Sequence, residues 1–254
     1  MSEAQSEQPK LLTLASAEKN ASVAVVQGDQ LLASVSFCDW AQQFQQQESV
    51  GRGSALVSMA KEAMEKANLA GESLDAIALT QGPGRFTGLR VSVVSARMLC
   101  FAWNLPIVAV NSLEVSAGKL VRERSLAVGA KIWAIIDAQR RQVFAAEFSV
   151  QDGGRLEISV PQALFERNEI VDRLETGHQV TGSGAFAFAQ EIEGKTGVPL
   201  PTVAIAQCDA RGVAAAAVER VRAGDFDDLL KVAPVYFRPS AAEEVRLANE
   251  SAAN

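Results

Sequence analysis

Leu79-Thr80-Gln81-Gly82-Pro83-Gly84-Arg85-Phe86-Thr87-Gly88-Leu89-Arg90 is the stretch whose reading decides the fold. It begins as the end of Leu74 to Leu79, a short, apolar, turn-bounded run that suits a buried strand. Gly82 and Gly84 allow backbone angles closed to other residues and Pro83 stiffens the bend. Thr87 is placed to cap the amides of a helix running to about Trp103. A second apolar run, Ile107 to Val110, follows Pro106. Strand, loop, helix and strand within about forty residues make a βαβ unit, for which a parallel pair with a right-handed crossover is the expectation.

Two readings of the loop stand at this point. In one, phosphate or carboxylate meets the helix amides around Gly82, Gly84, Arg85, Phe86, Thr87 and Gly88, with Arg85 and Arg90 adding charge. In the other, the glycines only make a tight strand-to-helix corner. The spacing matches neither a Walker loop nor a full dinucleotide fingerprint, so it does not choose between them.

Working outward, Leu11 to Leu14, Ala21 to Val26 and Gln30 to Phe37 read as three meandering strands. The glutamine-rich Gln42 to Glu48 has no apolar period and reads as a loop with some helix. Leu56, Ala60, Ala63, Met64 and Ala67 recur at helical spacing from Ser54 to Leu69, and Gly71 suits the end of that helix. Downstream the theme recurs. Ser112 to Val121 reads as helix, and Ile132 to Ile136, Gln142 to Phe148 and Leu156 to Val160 as strands. Then come a helix Arg167 to Leu174, a strand Gln179 to Thr181, a Gly182-Ser183-Gly184 turn, a helix through Glu193 and a helix Ala210 to Arg222. Three meandering strands followed by helix-linked strands, met twice, resemble the duplicated lobe of the actin and sugar-kinase group. The expected fold class is α/β, two lobes of mixed sheet with flanking helices. The expected division is a disordered tail 1–10, an amino-terminal lobe 11–111, a carboxy-terminal lobe 112–240 and a tail 241–254.

At 254 residues and 48% hydrophobic, the chain has enough apolar material for a substantial core. Its apolar stretches are broken well short of a membrane span, and the amino terminus MSEAQSEQPK lacks the basic and apolar regions of a signal peptide. Cytoplasmic residence is the expectation. Cys38, Cys100 and Cys208 are an odd number at wide separation, which suits neither a disulfide framework nor a zinc site, and all three are expected to pack. A net charge of −6 argues against a broad nucleic-acid footprint, leaving local patches such as Lys119, Arg122 and Arg124 or Arg140 and Arg141.

The segment GPGRFTGLR resembles the GPGSFTGLR-like stretch of the TsaB (YeaZ) family. Val110-Asn111-Ser112-Leu113-Glu114 resembles its V-S-S-L-E, and Ile136-Asp137-Ala138-Gln139-Arg140-Arg141-Gln142-Val143-Phe144 its I-D-A-R-R-x-E-V-Y. Thr181-Gly182-Ser183-Gly184 is similar to its G-x-G-A turn, and Pro234-Val235-Tyr236-Phe237-Arg238 to its P-x-Y-L-R. These matches are ordered along nearly the whole chain after residue 10. Two departures stand out. Ala15 falls where the family's first strand carries an aspartate, and Gly53 falls where an R-x-H-S pattern carries histidine.

The resemblance implies a noncatalytic subunit of the machinery that attaches threonylcarbamoyl to the adenosine beside the tRNA anticodon. It implies a TsaD-like catalytic partner that holds the metal, a TsaE-like ATPase, and ATP or ADP on those partners, with no cofactor or metal intrinsic to this chain. A homodimer is also in scope, and tRNA is expected mainly through the complex. Pairing with TsaD is implied through helices of the amino-terminal lobe. Small residues on the second helix, Gly88, Ser92 and Ala96, with Ser54, Met59 and Ala63 on the first, are the candidate partner-binding positions.

The residue chemistry offers few alternatives. The sequence has one histidine, His178, without a suitably spaced partner, so no catalytic residue is assigned and neither a histidine metal pair nor a hydrolase triad assembles in the ordinary way. Asp137 reads either as a functional carboxylate at a strand end or as a charge paired locally. A kinase or ATPase acting alone would need a carboxylate to replace what Ala15 lacks. A hydrolase would need Ser112 or Cys100 as nucleophile, and neither has a base nearby in sequence.

Overall fold

The computed structural model describes residues 8–43 and 52–237. The expected tails, up to residue 7 and from 241, lie outside the described residues, as do the glutamine-rich tract from residue 44 and Arg238. Strands β1 (Lys10–Ala15), β2 (Ser22–Gln27) and β3 (Gln30–Ser36) form the expected antiparallel meander. Helices α1 (Phe37–Gln43) and α2 (Arg52–Ala67) follow, so Gln42 and Gln43 are helical. Strand β4 (Ala76–Gly82), helix α3 (Phe86–Trp103) and strand β5 (Ile107–Asn111) complete the first sheet, ordered β3-β2-β1-β4-β5. Strands β4 and β5 run parallel to β1 and to each other, as the βαβ reading requires.

Helix α4 (Ser112–Arg124) leads into β6 (Lys131–Asp137), β7 (Gln142–Val150), β8 (Leu156–Glu166), α5 (Arg167–Arg173) and β9 (Gln179–Thr181). The second sheet runs β8-β7-β6-β9, antiparallel except for the β6–β9 pair. That order and sense repeat β3-β2-β1-β4, so the two-lobe duplication is present in the topology. Strand β8 runs past the expected end at Val160 because Pro161 sits in an edge strand, where its missing amide breaks no ladder. Helices α6 (Ala189–Thr196), α7 (Val203–Ala206) and α8 (Ala210–Arg222) are the last helices among the described residues.

The first sheet is covered on both faces, which is why its central strands read as unbroken apolar runs. Leu12 and Leu14 of β1 face α2 and α3, while Leu11 and Ala15 face α8. Helix α8 was expected in the carboxy-terminal lobe, yet it packs on the first sheet. Its apolar stripe Ala210, Val213, Ala214, Ala217, Val218 and Val221 keeps helical period and covers the sheet face that the local helices leave bare. The segment after it stays there: Asp227 bridges Ile107, and the Val235 amide donates to the Gln81 carbonyl at 2.8 Å. In the second lobe, α4 covers one face of the sheet and α5 and α6 the other.

Candidate functional site

The glycine loop between β4 and α3 is filled by the chain's own backbone. A Cβ at Gly82 would stand 2.7 Å from the Val235 carbonyl oxygen, at Gly84 2.4 Å from that of Ala17, and at Gly88 1.9 Å from that of Ser16. The Arg85 amide donates to the Ala17 carbonyl at 2.7 Å, and the Ser16 hydroxyl donates to the Gly88 carbonyl at 2.5 Å. The Arg85 amide, one of those the anion reading gives to phosphate, is thus taken by a backbone carbonyl, and carbonyl oxygens pack where side chains at Gly82, Gly84 and Gly88 would stand. Arg85 is the N-cap and contributes no side-chain cap, while Thr87 lies inside the first turn, so the expected Thr87 cap is absent. Phe86 stacks on Tyr236 at 4.7 Å, with Arg90 4.1 Å above the Phe86 ring and its Nε donating to the Tyr236 hydroxyl at 3.1 Å.

Helix α3 has two stripes, and the structure assigns them opposite roles. Ser92 and Ala96 are fully buried, as are Met59 and Ala63 of α2, and all but Ser92 belong to one apolar cluster. Gly88 lies against Ser16. The small residues therefore let α3 sit close on its own sheet and on α2. They do not form an outward groove, and this corrects the expected face; the side chain of Ser54 lies outside what the structure describes. The outward stripe is Val94, Met98 and Phe101, 55%, 67% and 84% exposed, with Val57 of α2 at 43%. Side chains spaced at three and four on one helix share a face, so three large apolar residues stand together in solvent.

Between the lobes lies a cleft of about 420 Å³ whose walls include Glu18, Lys19, Arg85, Asp137, Gln139 and Ser183. Glu18, which sequence reasoning passed over, is buried and accepts the Cys208 amide at 2.8 Å. Burial pushes its carboxyl above the ordinary range, against the opposing pull of the Ser183 hydroxyl, the Cys208 amide and Lys119. Lys119 itself ties down the crossover into α8, donating to the carbonyls of Ala204 and Gln207 at 2.8 Å each and to Asp209 at 2.5 Å. Asp137 accepts the Gln139 amide at 3.1 Å and stands 3.8 Å from Arg167 of α5. Gln139, Arg140 and Arg141 have φ of +62°, +52° and +64°, three successive non-glycine residues in the left-handed region. Each costs roughly 1–2 kcal/mol there.

Ala15 is buried at the end of β1. Cys100 is buried, and its thiol is pushed up to about 12 by that burial, which leaves no thiolate for a hydrolase; Ser112 is buried at the start of α4. Cys38 is exposed, contrary to the packing expected of it, while Cys208 is buried. His178 accepts the Glu175 amide at 3.3 Å through Nδ1. Among the described residues, no group of three or more His, Cys, Asp or Glu is placed to hold a metal ion, and no helix is long and apolar enough to cross a membrane.

Fold and site together define a duplicated two-lobed α/β protein with a close-packed glycine corner and an apolar helix face exposed among the described residues. The chain belongs to the family described as TsaD: tRNA N6-adenosine threonylcarbamoyltransferase, whose model matches residues 53–254, and it groups there with the TsaB (YeaZ) proteins. It is 34% identical over 86 residues to the tRNA threonylcarbamoyladenosine biosynthesis protein TsaB of Bacillus subtilis, covering 34% of this chain and 35% of that one. It is 31% identical over 140 residues to the tRNA N6-adenosine threonylcarbamoyltransferase of Bartonella bacilliformis, covering 55% and 38%. The matched stretches thus span well under two thirds of these curated relatives. YeaZ from Pseudomonas aeruginosa superposes with a TM-score of 0.72 over 90% of this chain and 99% of that one; at 23% identity the likeness is one of fold.

Proposed function

We propose that this chain is a noncatalytic subunit in threonylcarbamoylation of the adenosine beside the tRNA anticodon, pairing with a TsaD-like enzyme in the cytoplasm. The observation that carries the reading is the exposed stripe Val94, Met98 and Phe101 on α3. Burying a large apolar side chain contributes about 1.5–3 kcal/mol, so three on one rigid helix supply an interface core. The self-filled glycine corner and the buried thiol of Cys100 support a chain that leaves catalysis, nucleotide and metal to its TsaD-like and TsaE-like partners. The same face serves a second copy when the partner is absent, so homodimer and heterodimer compete for it.

Co-purification with the TsaD-like protein tests the pairing, and loss of threonylcarbamoyl-adenosine on depletion ties it to the reaction. Phe101→Glu places a charge at the most exposed residue of the stripe and is expected to weaken the pairing by about 2 kcal/mol or more, roughly thirtyfold. A folded Phe101→Glu chain that binds the enzyme as tightly as before overturns the proposed face.

A further inference from the structure

The loop that follows β1 is held from two sides. Toward the first lobe, the Ser16 hydroxyl donates to the Gly88 carbonyl at 2.5 Å and the Ala17 carbonyl accepts the Arg85 amide at 2.7 Å, so two successive residues fix the amino end of α3. Toward the second lobe, the next residue, Glu18, accepts the Cys208 amide at 2.8 Å and the Ser183 hydroxyl. Ser183 is fixed to its own sheet. A Cβ at Gly182 would stand 2.1 Å from the Ile135 carbonyl oxygen, and one at Gly184 2.7 Å from the Asp137 amide nitrogen, so the turn lies flat on β6. Cys208 belongs to the crossover that Lys119 of α4 ties down through Ala204, Gln207 and Asp209. Glu18 is thus a buried carboxylate whose donors come from the second lobe and from the crossover, none from its own sheet. Hydrogen bonds to a charged group are short and strong, and a buried carboxylate that loses them is costly, so a small separation of the lobes here is resisted.

We infer that Glu18 is a latch between the lobes: through it the Ser183 turn of the second lobe and the amino end of α3 are set together, so a displacement of either reaches the other. Ser16 and Ala17 adjoin Glu18 directly, which leaves no slack in the loop between the two sets of bonds. The use of the latch rests on the proposed pairing. Because α3 carries the stripe assigned to the TsaD-like enzyme, the seat of the enzyme is coupled to the placement of the second lobe.

Hydrogen exchange followed amide by amide in the full chain tests the coupling. Arg85 and Leu89 report on α3, the second through its bond to the Arg85 carbonyl at 3.0 Å, and Ala185 reports on the second lobe through its bond to the Gly182 carbonyl at 3.2 Å. Ser183→Ala removes a donor in the second lobe alone and is expected to speed exchange at Arg85 and Leu89 about fivefold. Glu18→Ala is expected to speed all three amides by at least as much. Glu18→Gln keeps an acceptor for both donors and is expected to leave them near the wild-type rate, and Lys195→Gln on α6 to change nothing; thermal melts establish that each variant is folded. Ser183→Ala and Glu18→Gln carry the test by themselves if Glu18→Ala does not fold. Exchange at Arg85 and Leu89 that keeps the wild-type rate in folded Ser183→Ala overturns the latch, and so does Glu18→Gln that speeds it as much as Ser183→Ala. Affinity for the TsaD-like enzyme is measured in parallel. A wild-type chain that pairs while Arg85 and Leu89 ignore Ser183→Ala keeps the functional reading and loses the latch; one that shows the coupling but does not pair keeps the latch and loses the functional reading.

Discussion

Single residues show which of the chain's special positions are structural. A methyl group at Gly88 would lie 1.9 Å from the Ser16 carbonyl oxygen, and both backbones are fixed, one by helix α3 and the other by the Ser16 hydroxyl bond to the Gly88 carbonyl. Gly88→Ala is therefore expected to destabilise by about 3 kcal/mol, as other overpacked sites do, read as a drop in urea midpoint at unchanged slope. Gly194 in α6 has nothing within 4 Å of its missing Cβ, so Gly194→Ala is expected to stabilise by about 0.5–1 kcal/mol through helix propensity alone. The buried carboxyl of Glu18 supplies a pH dependence with a definite sign. Its folded value is raised above the ordinary 4.5, so its ionised form costs stability at neutral pH; that cost fades as pH falls through the folded value and is gone below 4.5. Glu18→Gln keeps a carbonyl acceptor for the Cys208 amide and removes the charge. It is expected to melt higher than the wild-type chain at pH 7, with the gap closing toward pH 4.5; a gap that widens on acidification contradicts the assignment.

At the scale of elements, α3 explains both what was legible in the sequence and what was not. The helix, its strand and the parallel β4–β5 pair follow from apolar runs punctuated by Gly82-Pro83-Gly84 and Pro106, and local chemistry alone places them. The second lobe follows in the same way from its meander, with β8 running on to Glu166 past the expected end at Val160. The face α3 turns outward was not legible. Ser92 and Ala96 on one side and Val94 and Met98 on the other have the same spacing, and the choice between them depends on how closely the sheet and α2 approach. Small residues won the inside because they let backbones come close, leaving the bulkier stripe in water. The two stripes are expected to respond differently to the same change. Ala96→Glu buries an unpaired charge and is expected to abolish cooperative melting, whereas Met98→Glu is expected to leave the melting temperature within about a degree while lowering affinity for the TsaD-like enzyme. Glu18 was illegible for a related reason: its burial comes from Ser183 and Cys208, far along the chain, and nothing in the local run Ala17-Glu18-Lys19 distinguishes it from a surface turn.

For the whole molecule, the consequence of α8 crossing back is that the first lobe depends on residues more than a hundred positions away. Arg220 donates to the Ala109 carbonyl at 3.0 Å and to Asp227 at 3.2 Å, and Asp227 accepts the Ala109 amide at 2.7 Å, so the edge of β5 is closed by the segment that follows α8. That segment then reaches the glycine corner, where Val235 bonds Gln81 and Tyr236 stacks on Phe86 at the start of α3. The same strap therefore holds the sheet edge and the amino end of the helix proposed to meet the enzyme. Asp227→Ala removes the acceptor shared by Arg220 and the Ala109 amide, and a loss of about 1–3 kcal/mol follows from leaving partly buried donors unpaired. If the strap opens as a unit, hydrogen exchange of the amides from Asp227 to Phe237 is expected to speed up together with those of the first turn of α3, while β6 and β7 in the other lobe keep their protection. Exchange that rises at Ala109 alone means instead that the Tyr236 stack and the Val235 bond hold the strap without Asp227, and that the amino end of α3 is fixed from within its own lobe.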